Sequence, residues 1–147
     1  MQRPAKRMND KAEYLSTLKV ATILGSQNLR KDAMMRLRRQ LDEMELVVLG
    51  RKYTSPTWVR EGYKKLVSRT ETITDEEAYL LGLLTTVRLL RLREGGHFKG
   101  STSESPDFAS PLLVAELEAK IDAVFKVEFS ELQLEASLIE SGFFDVL

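Results

Sequence analysis

Histidine occurs once in this 147-residue chain, at position 97, and cysteine not at all. One imidazole cannot form a histidine-pair metal site. The lack of thiols excludes cysteine nucleophiles, thiolate zinc and disulfide scaffolds. His97 stands in the segment GGHFKG with no partner assigned to orient it, so a solvated loop residue is expected rather than a general base. Gly95, Gly100, Ser101 and Thr102 imitate a phosphate-binding loop. That loop requires lysine directly after the second glycine and a strand before the first. Here Lys99 precedes Gly100, and a helical pattern leads in. Asp42, Glu43 and Glu45, and again Glu76 and Glu77, offer clustered carboxylates. Each cluster opens a helix, where the dipole favours negative charge, and neither is joined by a histidine or a glycine-bearing calcium loop. GxSxG, GxGxxG and HExxH are absent. No catalytic residue, metal or cofactor is expected; the chain reads as non-enzymatic.

The remaining chemistry is basic. Arg36, Arg38 and Arg39 cluster near one helix end, and Arg88, Arg91 and Arg93 near another. Arg36, Arg38, Arg39, Arg88 and Arg91 form the candidate basic contact surface. A phosphate-binding face needs such arginines together, but a solvated helix face looks the same in sequence. No helix-turn-helix, RNA-binding aromatic motif or zinc ligand set accompanies them.

Helices must position all of these groups. From Asp10 to Leu24, Tyr14, Leu15, Leu18, Ala21 and Ile23 recur at the helical period, and Gly25 ends the run. Ser26 can cap the next helix, whose stripe is Leu29, Ala33, Met34, Leu37 and Leu41. Asp42 with Glu45, and Thr74 with Glu77, have capping-box spacing. Ser55-Pro56 supplies a cap followed by proline at the first helical position. That helix offers Trp58, Val59, Tyr63, Leu66 and Val67. Gly82 marks a break, after which Leu84, Val87 and Leu90 resume the pattern. Residues 95–111 are rich in Gly, Ser and Pro and read as a flexible loop. A last pattern runs from about Ser110 to Ser141 with Leu113, Leu117, Ile121, Val124, Phe125 and Leu132 on one face. The expected fold is all-α: a compact bundle of six or seven short-to-medium helices with a long acidic C-terminal helix.

Charge divides the same way. The 22 basic and 22 acidic side chains cancel overall, but residues 1–100 hold 20 basic against 12 acidic, and residues 101–147 hold 2 against 10. Opposite halves attract, so the acidic end is expected to fold back on the basic part. The competing reading is a basic surface for nucleic acid or an acidic protein, with the tail competing for it. The expected organisation is a basic helical body at 1–94, the loop at 95–111, and an acidic helix and tail at 112–147 packing on the body. No apolar run reaches membrane-spanning length and no signal peptide is evident at Met1–Lys11, so an intracellular chain, cytoplasmic or nuclear, is expected.

Between Asp42 and Glu94 an ordered set of elements stands out: Leu49-Gly50-Arg51-Lys52-Tyr53, Pro56-Thr57-Trp58-Val59, Tyr63, Leu66-Val67-Ser68-Arg69, Ile73-Thr74-Asp75-Glu76-Glu77-Ala78, Leu81-Gly82 and Arg93-Glu94. This set resembles the helical region that follows the BTB/POZ domain in fungal, mushroom-type proteins. Leu18-Lys19-Val20-Ala21-Thr22, Leu29-Arg30 and Ala33-Met34 are similar to the segment preceding it there. That family's tryptophan-aromatic pair is replaced by Ile23-Leu24-Gly25-Ser26. Phe125 to Leu132 is similar to the acidic helical end of those chains. The matched elements all lie outside a BTB domain, so the dimerisation and ligase recruitment that belong to BTB domains are not carried over.

The resemblance implies a helical companion to a BTB domain, working through protein–protein contacts. Its matched residues Leu49, Tyr53, Pro56, Trp58, Tyr63 and Leu66 are expected in the structural core, with Trp58 at the centre. The expected partner is another protein or a missing BTB neighbour, with self-association when alone; nucleic acid is the second choice. No membrane partner is expected.

Overall fold

The computed structural model describes residues 3–95 and 111–140, with side chains described within 10–95 and 114–139. Among these residues the structure is all-helical. The helices are α1 (Arg3–Leu24), α2 (Gln27–Arg38), α3 (Glu43–Lys52), α4 (Pro56–Ser68), α5 (Asp75–Leu81), α6 (Leu83–Gly95), α7 (Pro111–Val124) and α8 (Lys126–Glu140). These eight described helices exceed the six or seven expected. The single long C-terminal helix is two, divided at Phe125. No glycine or proline marks that division, so periodicity alone reads straight through it. The expected loop falls mainly on 96–110, outside the described residues, as does His97; its two ends are helical, Gly95 closing α6 and Pro111 opening α7.

The chain divides into two compact units, Met1–Leu41 with Ala136–Leu147, and Asp42–Glu135. Residues up to 41 separate from the rest of the basic part, and the chain from α7 into α8 joins α3–α6. The expected boundaries near 94 and 112 follow charge and loop composition.

In the first unit α1 and α2 pack on each other across the turn at Gly25 and Ser26. Gly25 takes φ 74°, and the bonds from Ser26 N–H to Ala21 O and from Gly25 N–H to Thr22 O form a Schellman ending. Ser26 occupies the cap position of α2 without a side-chain cap bond. Leu18, Ala21, Ala33, Leu37 and Leu41 are buried; Val20, Ile23, Leu24, Leu29 and Met35 are exposed. Gln27 Nε2 donates to Ile139 O at 3.2 Å.

In the second unit each helix start follows its local chemistry. Asp42 and Glu45 form a reciprocal capping box, as do Thr74 and Glu77, and the Ser55 side chain accepts from Trp58 N–H with Pro56 at the first helical position. α3 and α4 pack closely because Gly62 allows it: a Cβ there would lie 2.5 Å from Val47 Cγ2 and 2.8 Å from Glu43 O. The core comprises Val47, Val59, Tyr63, Leu66, Val67, Leu81, Leu89, Ile121, Phe125 and Leu132, edged by Leu117 and Phe129. The Tyr63 and Phe125 rings meet with centroids 4.3 Å apart.

Trp58 is buried, but it lies outside this cluster, to which α4 contributes Val59, Tyr63, Leu66 and Val67. Val59, Tyr63, Leu66 and Val67 form one i, i+4, i+7, i+8 stripe, and Trp58 sits about 100° round the helix from it. α6 shows a second rotation. Its buried residues are Thr86 and Leu89, while Leu84 is exposed and Val87 and Leu90 are only half-buried.

Candidate interaction surface

The polar groups of the second unit fall into inward networks and an outward face. Arg51, near the end of α3, donates to Tyr63 Oη at 2.8 Å, Thr85 Oγ1 at 3.0 Å, Leu81 O at 3.0 Å and Glu128 Oε2 at 3.1 Å. Tyr63 donates to Glu128 Oε1 at 2.6 Å. Burial and the bond to Glu128 push the Tyr63 phenol well above its ordinary value. Burial opposes the Arg51 charge, but Tyr63 and Glu128 outweigh it and raise the guanidinium's pKa.

A second network stitches the connection between α4 and α5. Arg69 pairs with Glu43 and Glu77 and donates to Glu71 O and Thr72 O. The Arg69 bond lowers the Glu77 carboxyl below its usual range, with the Thr74 cap assisting. Arg93 caps the end of α4, its Nη1 donating to Leu66 O at 2.8 Å and Arg69 O at 2.9 Å. Burial, then the neighbouring Arg69 charge, lowers its pKa. Lysine and arginine on α4 also meet the acidic α7. Arg60 makes a bidentate pair with Asp122 at 2.6 and 3.0 Å, and Lys64 reaches Glu118 at 2.6 Å. Within this unit, acid from the C-terminal part does meet base from α3 and α4.

These contacts consume the titratable groups in holding helices together. Among the described residues, no group of three or more His, Cys, Asp or Glu could hold a metal ion, and no helix is long and apolar enough to cross a membrane.

The outward face lies on α5 and α6. Tyr79 is 88% exposed, Leu80 56%, Leu83 81% and Leu84 60%. Asp75, Glu76, Tyr79 and Leu80 line one shallow depression. Gly82, at φ 96° and ψ 152°, breaks the helix between the two pairs and turns the chain. Leu84, Val87, Arg88 and Arg91 continue the outer side of α6 at helical spacing, while Thr86, Leu89 and Arg93 turn inward. Tyr79, Leu80, Leu83 and Leu84 thus stand more than half exposed within three residues of the Gly82 break.

The residues singled out in sequence are dispersed. Tyr53, Trp58, Tyr63 and Leu66 are buried; Leu49 and Pro56 are half-buried. Arg36, Arg38 and Arg39 are exposed in the first unit. Arg36 is paired with Asp32 at 3.1 Å and lies 5.9 Å from the Tyr14 ring. Arg88 is half-buried and Arg91 exposed in the second unit. The two arginine groups therefore belong to different units. Sequence reasoning missed the inward roles of Arg51, Arg69 and Arg93, although all three stand in the motif elements quoted above. Leu84, Val87 and Leu90, which resume the helical pattern in the sequence, are exposed or half-buried.

No protein family, no curated protein and no solved structure matches this chain.

Proposed function

We propose that this chain is a non-enzymatic protein–protein interaction module akin to the helical region following fungal BTB domains. The observation that carries the reading is the exposed apolar elbow at Tyr79, Leu80, Leu83 and Leu84. Such a face costs solubility when bare and is stabilised by covering it with another apolar surface. The ordered motif set from Leu49 to Glu94 supports the BTB kinship. Its charged members Arg51, Arg69, Glu77 and Arg93 hold this unit's helices in register and leave the elbow outside.

The test is titration of the purified chain with a recombinant BTB domain from a protein carrying the same motif set. Saturable binding that changes little between low and high salt, and is lost in Leu83→Asp, is expected. No binding to the domain, combined with binding to duplex DNA or RNA that weakens steeply with salt, overturns the proposal in favour of a basic nucleic-acid module.

A further inference from the structure

Charge is not spread evenly along the α5–α6 face. It starts with Asp75 and Glu76, passes through Tyr79 and Leu80 to the Gly82 elbow, continues through Leu83, Leu84 and Val87, and reaches Arg88 and Arg91. Among the described residues, none of these four charged side chains has an ion-pair partner, unlike Arg51, Arg60, Lys64 and Arg69. Leu84, Arg88 and Arg91 share one side of α6 at i, i+4 and i+7, and Arg91 lies about 10 Å beyond Leu84 along the axis. Glu94 follows one turn on, towards the Leu83–Val87 edge. In chain order the exposed and half-buried side chains of α5 and α6 thus run negative, apolar, apolar, positive.

A strip of that order is complementary to itself when reversed. We propose that a second copy of this chain seats on the α5–α6 face with its own α5–α6 running antiparallel. This rests on reading the elbow as a protein-docking surface and names the occupant. About a two-fold axis at the Gly82 elbow, Tyr79 and Leu80 of one copy cover Leu83 and Leu84 of the other. Asp75 and Glu76 of each then meet Arg88 and Arg91 of its mate. The arrangement is isologous and therefore closes at two copies instead of growing into a fibre. A basic peptide would match only the acidic end, and an acidic one only the arginine end; a reversed copy matches both. Gly82 suits the crossing point, because a Cβ there would meet nothing within 4 Å and the backbone is open to close approach. Four apolar side chains make a small contact beside the roughly 800 Å² per partner of a standard interface, so a micromolar dimer is expected rather than a permanent one.

The experiment is sedimentation equilibrium of the purified full chain over a wide concentration range. The mass is expected to rise from 16.7 kDa towards twice that value. Leu84→Asp, at an exposed position that tolerates it and with its fold checked by circular dichroism, weakens pairing by roughly tenfold or more. Glu76→Lys and Arg91→Glu each weaken it as well. Mixing these two variants restores it. Across one half of the axis the introduced lysine of one chain then faces the introduced glutamate of the other, while across the other half the unaltered Arg91 and Glu76 keep their pair. A monomeric wild type, a Leu84→Asp chain that pairs as tightly, or a mixture no tighter than its parts overturns the proposal. A monomeric chain that still binds the BTB domain removes the dimer and leaves the interaction module standing. A chain that neither pairs nor binds removes both.

Discussion

The Arg51 guanidinium lies 2.8 Å from the Tyr63 hydroxyl, which passes its own hydrogen to Glu128 at 2.6 Å. One cation thereby joins α3 to α4 and to the start of α8, and its remaining donors take Leu81 O and Thr85 from the α5–α6 elbow. The elbow is held from behind by a polar knot and left bare in front.

Replacing Arg51 with methionine strands the Tyr63 oxygen, the Glu128 carboxylate and the Leu81 carbonyl. A loss of about 2–3 kcal/mol is expected in urea unfolding, because partly buried acceptors lose their partner. Tyr63→Phe keeps the ring packing on Phe125 and removes only the bridge, so about 1–2 kcal/mol is expected. A larger loss for Tyr63→Phe than for Arg51→Met would contradict the assigned order.

Trp58→Ala and Phe125→Ala should each cost about 3–5 kcal/mol, the range for truncating a buried aromatic side chain. Trp58 is 4% exposed and Phe125 1%. Thermal melting followed by circular dichroism checks both. An unchanged midpoint for Trp58→Ala would place that ring on the surface.

Thr54 takes φ 60°, a conformation that a β-branched residue rarely adopts. It follows the end of α3 at a Schellman-type turn, with Ser55 N–H bonded to Gly50 O at 2.7 Å. Thr54→Gly relieves that strain and should raise stability by about 0.5–1 kcal/mol, net of the glycine's extra unfolded-state entropy. The measurement is the urea midpoint; a drop would show that the Thr54 side chain stabilises the turn.

Arg69 holds the Glu77 carboxyl below its ordinary value of 4.5, so the unfolded chain takes up that proton first as pH falls. Stability from this pair is therefore complete above about pH 4.5 and is lost as pH drops through the depressed folded value. Glu77→Gln should be less stable than wild type at neutral pH and should show a shallower loss below about pH 4.5. Unfolding at a series of pH values gives both slopes, and parallel curves would remove Glu77 from acid unfolding.

Much of the local structure was legible in the sequence. The Asp42/Glu45 and Thr74/Glu77 boxes and the Ser55-Pro56 start each depend on residues three or four apart, which meet wherever a helix forms. The stripe of α4 was legible because Val59, Tyr63, Leu66 and Val67 are apolar and Arg60, Lys64 and Lys65 are not. α6 was not legible in this way. Leucine, valine and threonine lie on several of its sides, so its composition names no buried face. The Gly82 turn and the inward Arg93 decide that Thr86 and Leu89 go in and Leu83 and Leu84 stay out. The break at Phe125 carries no glycine or proline and was invisible for the same kind of reason.

The sequence by itself determined the helical class, the capping chemistry, and the absence of thiols and of a histidine pair. These follow from residue types and short-range spacing. Only the tertiary structure decided which arginines became fasteners and which apolar residues became surface. Arg51 and Glu128 are separated by 77 residues, and Arg60 and Asp122 by 62. Pairs so distant are chosen by how helices pack, since burying a charge is tolerable only where packing delivers its partner. The balanced count of acids and bases set that supply. The fold spent part of it inside and left Asp75, Glu76, Arg88 and Arg91 around an apolar elbow.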